Sequence, residues 1–170
     1  MSHESGIARE KNRILKAWFE HVADTYAKQT ASFLNQKGDR FANPVSAIIS
    51  ESLEKVFDGL VEDAGVNELS ESIDPLVRVR AVQGFSPSAS ISFVFFLKKI
   101  LRDVITADDS EVAMDLELMD KKIDGLALIC FDKFMECREK IYELKACEVR
   151  NRTFRAFERA GLLLNSKNGG

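Results

Sequence analysis

Histidine is nearly absent from this chain: of 170 residues only His3 and His21 are histidine. A serine or cysteine nucleophile needs a base within reach, and one internal histidine supports no such constellation, so nothing favours an enzyme. Cysteine is also scarce. Cys130, Cys137 and Cys147 show no short paired spacing, which argues against a disulfide framework or a zinc site and fits a reducing compartment. With three prolines and nine glycines, the turn residues of a many-stranded sandwich are missing, and long helices are favoured. The longest strongly apolar run, Ile91 to Leu97, is seven residues, far short of the roughly 20 that cross a bilayer. The amino terminus, MSHESGIARE, lacks the apolar segment of a signal peptide. A cytoplasmic protein with no membrane insertion is expected. A net charge of −3 gives no general pull toward nucleic acid or anionic lipid.

The strongest positive signal lies near the carboxyl end. Leu116, Met119, Ile123, Leu126, Cys130, Phe134, Cys137, Ile141, Leu144 and Cys147 recur in steps of three or four, which places them on one helical face. A helix from Leu116 to Phe157 has 42 residues and spans about 63 Å. A compact chain of this size is only about 40 Å across, so the helix should protrude. Charge is uneven as well. Glu51 to Asp74 holds eight acids against Lys55 alone, and Asp103 to Asp124 eight against two lysines, whereas Arg138 to Arg159 carries seven bases against four acids. Such runs are usually solvated helix faces; on the last helix the basic excess also suits a docking surface, with Leu144, Cys147, Phe154 and Phe157 as its interface residues.

Earlier segments predict about five helices in one all-α, bundle-like domain over residues 7–160, with flexible ends at 1–6 and 161–170. The first helix should run from Ile7 to Ala27, with Ile14, Leu15, Trp18, Phe19, Val22 and Tyr26 inward. A loop at Gly38 precedes Asn43-Pro44, a cap followed by proline at the first helical position. Val45, Ile48, Ile49, Leu53, Val56, Phe57, Leu60 and Val61 form the next stripe, with Gly65 as its stop. Asp74-Pro75 repeats the cap logic and predicts a short helix to about Gln83, although Leu76 to Arg80 also alternates as a strand would. After Gly84, Ser86-Pro87 opens a helix that is apolar on nearly every side and belongs at the centre. Asp108, Asp109 or Ser110 caps the long helix, and Gly125 marks a bend.

Each candidate site has a plainer reading beside it. His21 borders the first apolar stripe and is a candidate haem ligand, or a structural boundary histidine. Cys130 and Cys137 are about 10 Å apart along a helix, beyond the ~7 Å Cα separation of a disulfide; they read as small core hydrophobes, or as pairs across a dimer. Arg78, Arg80 and Gln83 could form an anion patch, or pair with the acidic helix before them. Phe93, Phe96, Phe131 and Phe134 could line an apolar pocket, or simply fill the core.

Three segments together carry a resemblance: Asp39-Arg40-Phe41-Ala42-Asn43-Pro44-Val45, the run Val77-Arg78-Val79-Arg80-Ala81-Val82-Gln83-Gly84-Phe85-Ser86-Pro87-Ser88, and Phe131-Asp132-Lys133-Phe134-Met135-Glu136-Cys137-Arg138-Glu139-Lys140-Ile141-Tyr142. They resemble the RsbRD amino-terminal domain family, named for RsbT co-antagonist proteins, from about Ile14 to Arg152. The resemblance implies an all-helical sensory or regulatory module, similar to the non-haem globin-like domains at the front of stressosome proteins. There a long terminal helix leads into an output domain, commonly a STAS domain or a kinase. This chain ends about twenty residues after the resemblance does, so a stand-alone copy is expected, with no counterpart of the phosphorylatable STAS residues. The expectation is a non-enzymatic module without cofactor or metal, dimeric through its last helix, that binds a protein partner in a signalling or respiratory complex. Some single-domain relatives look associated with sulfur-respiring anaerobes, which implies, as an alternative, an accessory role near a membrane redox complex of sulfur respiration. The rival expectation is a sensor that binds an apolar small molecule.

Overall fold

The structure, a computed structural model, describes residues 6–25, 44–105 and 110–161, the side chains of 110 and 111 excepted. Tyr26, Gly38, Asn43, Asp108 and Asp109 fall outside that set. Among the described residues the fold is all-α, with six helices: α1 (Gly6–Arg9), α2 (Lys11–Asp24), α3 (Pro44–Val61), α4 (Val66–Val82), α5 (Pro87–Val104) and α6 (Ser110–Arg159). α6 packs on α4 and α5, α3 packs on α4, and α2 lies against α5 and α3. Trp18, Phe57, Phe93 and Phe134 fill the space between them, each at most 1% exposed. Trp18 Nε1 donates to the Phe93 carbonyl at 2.9 Å, so the largest core ring brings its own polar atom to a partner.

Local sequence explains most of these boundaries, and four of them depart from expectation. The first helix is split at Glu10, whose carbonyl accepts from both Arg13 and Ile14 and whose carboxylate pairs with Arg13 at 2.8 Å. The ladder restarts there, and it ends at Asp24. α3 stops before Gly65. Its end is turned by Asp63 in the left-handed region, φ 64°, which a short acidic side chain tolerates, and Gly65 instead precedes α4 in extended conformation.

Pro75 does not start a helix but sits inside one. Proline within a helix costs about 3 kcal/mol by removing an amide bond and crowding the preceding turn. That cost is offset because Leu69 and Ile73, upstream of it, are buried together with Leu76, Val77 and Ala81, and Pro75 itself faces solvent. α5 begins as its sequence predicts, with Ser86 Oγ accepting from the Ala89 amide and Pro87 first in the helix. It is not enclosed on every side, however. Phe95 is 51% exposed, because α2 and α6 cover only the two faces that carry Phe93, Val94, Leu97 and Leu101.

Candidate functional site

α6 has 50 residues, about 75 Å of helix, and the body covers only its first part. Met119, Ile123, Leu126, Cys130 and Phe134 are buried, and Cys137 and Ile141 are half-buried. The covered part is bolted down by Lys98 to Asp124 at 2.6 Å, by Arg102 to Asp120, and by Lys122, which donates to the Leu60 carbonyl at 2.8 Å and meets Asp63 at 3.1 Å. Arg138 is the last tie. Its Nη1 reaches the Ala81 carbonyl at 3.5 Å, and its Nη2 donates to the Tyr142 hydroxyl at 2.6 Å. Every residue from 142 to 161 is exposed. The helix ends at Arg159, and Gly161 just beyond it, with φ 67°, supplies the left-handed stop that glycine adopts without strain.

The predicted interface residues lie on this bare stretch: Leu144 is 64% exposed, Phe154 54% and Phe157 47%, with Cys147 exposed too. Leu144, Cys147 and Phe154 prolong the side of α6 that faces the body lower down. A second apolar column runs up the other side. Leu128, Met135, Tyr142, Val149 and Ala156 recur at intervals of seven, and each stands two residues, about 160° around the helix, from a member of the first stripe. All five are exposed. Sequence reading misses this column because the stronger stripe accounts for an apolar face by itself; the seven-residue recurrence is the signal that could find it.

The arginines of the expected anion patch part company. Arg78 is exposed and pairs with Asp74 at 2.6 Å along its own helix, which raises its pKa chiefly through that hydrogen bond. Gln83 is exposed at the end of α4. Arg80 is wholly buried: its Nη1 donates to Thr25 Oγ1 at 2.9 Å and its Nη2 to the Ala89 carbonyl at 2.8 Å. The guanidinium lies over the Phe85 ring at 4.2 Å and the Phe93 ring at 5.3 Å. It ties the end of α2 and the start of α5 to α4. The signal for burial was in the spacing, since Ile73, Leu76, Val77 and Arg80 share one face.

The four phenylalanines do not line one space. Phe93 and Phe134 are sealed in the core, whereas Phe131 is 45% exposed. Phe96 is half-buried and lies flat on His21, ring centroids 3.5 Å apart and planes 7° from parallel. Burial pushes the His21 imidazole below its ordinary pKa; Asp24 opposes this, and Arg80 and Lys99 add to it. Of the cysteines, only Cys130 is a fully buried core residue, its thiol pushed up to about 12 by burial. Cys137 is half-buried and Cys147 exposed, because the body no longer covers α6 at that height. An apolar groove of about 410 Å³ lies elsewhere, where Leu60, Ala64, Val66 and Leu69 of the α3–α4 corner meet Leu128 and Ile129 of α6.

No helix among the described residues is long and apolar enough to cross a membrane, and no cluster of metal-ligating side chains occurs among them. The chain is similar to a protein of Archaeoglobus fulgidus, described only as uncharacterized, with 31% identity over 108 residues, 61% of this chain and 68% of the relative. No solved structure matches it significantly. The profile of the RsbT co-antagonist protein rsbRD N-terminal domain matches residues 12–148, four-fifths of the chain and nearly the whole helical body together with the covered part of α6. The chain therefore belongs to the RsbT co-antagonist protein rsbRD N-terminal domain family.

Proposed function

We propose that this protein is a non-enzymatic regulatory module of the sensory kind, cytoplasmic, that acts by protein–protein interaction through the exposed half of α6 and works as a homodimer. One observation carries the reading: from Tyr142 onward α6 is bare, yet it displays Tyr142, Leu144, Val149, Phe154 and Phe157. Most helical stability in proteins comes from packing an apolar face against other elements, and this stretch has no such packing from its own body. The Arg152 to Glu148 pair, 2.8 Å, adds only a few tenths of a kcal/mol. A partner that covers the apolar side would supply what the body does not. Membership in a family of regulatory sensory domains supports the same reading. Sedimentation of the full chain against a chain ending after Ile141 tests it. The full chain should sediment as a dimer at tens of micromolar and the shortened chain as a monomer; a full-length monomer at that concentration refutes the homodimer.

A second reading has the groove at the α3–α4 corner in its favour. It is apolar, open beside Gly125 and large enough for a small molecule, so the body could sense an apolar ligand and pass the change to α6. Gly125→Leu would fill that groove, and a ligand that raises the melting temperature of the native chain should then lose its effect.

A further inference from the structure

Resting on the dimeric reading above, we propose that the second copy of this chain lies parallel to the first, in register, along a seam of Tyr142, Ala146, Val149, Thr153, Ala156 and Ala160. These positions alternate in steps of four and three, the spacing of a two-helix coiled coil, and all six are exposed. Most are small, which lets two helix axes approach to the short end of the usual 8–10 Å. The seven-residue period also sets the hand of the pair. A straight helix drifts by about 20° per heptad against it, and a gentle left-handed supercoil removes the drift.

Charge chooses the direction. One flank of the seam is uniformly basic: Arg138, Lys145, Arg152 and Arg159. The other flank is Glu143, Arg150 and Phe157. An antiparallel pair sets like flanks together, so basic residues would face basic residues along its whole length. A parallel pair sets each flank against the other. Arg138 then faces the second copy's Glu143, and Arg152 approaches its Phe157 as a cation over an aromatic ring. Lys145 against the second copy's Arg150 is the one repulsive contact. Below Tyr142 the seam positions become Glu139, Met135, Asp132 and Leu128, and there the like charges of Glu139 and Asp132 keep the two helices apart. The pair therefore closes only above the bodies, which sit on the outer sides of α6. Leu144, Cys147 and Phe154 face away from this seam, so it differs from the surface that the core-side stripe suggests.

Cysteine cross-linking tests both seam and direction. In a Cys137→Ser, Cys147→Ser background, with the sealed Cys130 retained, Tyr142→Cys, Val149→Cys and Ala156→Cys are made singly, oxidised mildly and run without reductant. All three positions are exposed, and circular dichroism checks that each variant is folded. In the proposed pair all three cross-link. In an antiparallel pair at most one can, because sites seven residues apart are about 10.5 Å apart along the axis; when one pair meets at the dyad, the next is separated by about 21 Å, against the ~7 Å limit for a disulfide. Cross-links at one site or none in a chain that sediments as a dimer overturn the seam and leave the homodimer standing, as would cross-links confined to Cys147 of the native chain or to Phe154→Cys. A monomer in sedimentation with no cross-link at any site removes both.

Discussion

Replacing Arg80 should expose how the body is held together. The side chain is fully buried, and Arg80→Ala removes the hydrogen bonds to Thr25 at 2.9 Å and to the Ala89 carbonyl at 2.8 Å. Bonds from a charged donor contribute about 1.5–3 kcal/mol each, and a desolvated cation over aromatic rings about 2 kcal/mol. Part of this is offset by the cost of keeping the charge out of water, but truncation also empties a large buried site, so Arg80→Ala should cost about 3–5 kcal/mol, in the range for deleting a large buried side chain and its hydrogen bonds. For a chain of this size that lowers the melting temperature by roughly 6 to 20 °C. Arg80→Met separates charge from volume. Methionine fills most of the space, and neither former partner is left bare: the Ala89 carbonyl accepts from Ser92 at 3.1 Å, and the Thr25 hydroxyl, though it loses the bond it accepts, still donates to the Val22 carbonyl at 2.6 Å. The expected loss is about 1–2 kcal/mol, near the net value of ordinary hydrogen bonds. Urea unfolding at pH 7 measures both, provided the slope is unchanged. A loss below about 1 kcal/mol for Arg80→Ala, or a Met variant as damaged as the Ala variant, would refute the account of Arg80 as a packed, hydrogen-bonded tie between α2, α4 and α5.

Two glycines should respond differently to the same substitution. A Cβ at Gly125 meets nothing within 4 Å, so Gly125→Ala should stabilise by about 1 kcal/mol; at Gly59 it would come within 2.9 Å of Leu69 Cδ2 and 3.2 Å of Ala64 Cβ, so repacking should offset the helical gain and the urea midpoint of Gly59→Ala should stay below that of Gly125→Ala. His21 should make stability depend on pH: its folded pKa lies below its ordinary value of 6.5, so the unfolded chain takes up the proton first. Stability is then full above pH 6.5 and falls as pH drops toward the folded pKa, and His21→Asn should flatten the urea midpoint between pH 7 and pH 5; a slope unchanged by that substitution refutes the assignment. Under iodoacetamide at pH 8 the exposed Cys147 should react first and Cys130, with a pKa near 12, not until the chain unfolds, which mass spectrometry of the peptides resolves.

What the sequence made legible was whatever a single turn of chain decides. Ser86-Pro87 starts a helix because the serine oxygen and the proline ring act on their own neighbours, and that boundary holds. Asp74-Pro75 carries the same local chemistry and yet lies inside α4, because Leu69 and Ile73 are buried in the core, and that burial is decided by neighbouring helices and not by the turn at Asp74-Pro75. Arg80 illustrates the converse. Its spacing from Ile73 and Leu76 marks a buried position, but its charge suggests a surface, and the rings of Phe85 and Phe93 with the Thr25 hydroxyl and the Ala89 carbonyl make burial tolerable. Phe131 and Phe134 are both apolar and three residues apart, so periodicity treats them alike. Where the edge of the neighbouring helices falls decides that one is 1% and the other 45% exposed.

α6 divides at the same edge. Its core-side stripe is legible because Met119 to Phe134 must meet a body, and the arithmetic of length already implied that the body would run out. What length cannot say is which side of a bare helix a partner should take, since beyond Ile141 nothing distinguishes the former inside from the former outside. A helix packed on several neighbours and a helix paired with one both show steps of three and four, so the two sides differ only in how far each row continues. Leu128, Met135, Tyr142, Val149 and Ala156 keep an interval of seven to the end of the bare stretch, while the core-side row Leu116, Ile123, Cys130, Cys137 and Leu144 keeps it only until Asn151 and Glu158, with Cys147 and Phe154 still apolar beside it. The core-side surface thus thins to separate apolar residues where the body ends. The other side keeps an apolar or small residue at every step from Tyr142 to Ala160, and the proposed pairing rests on that continuity.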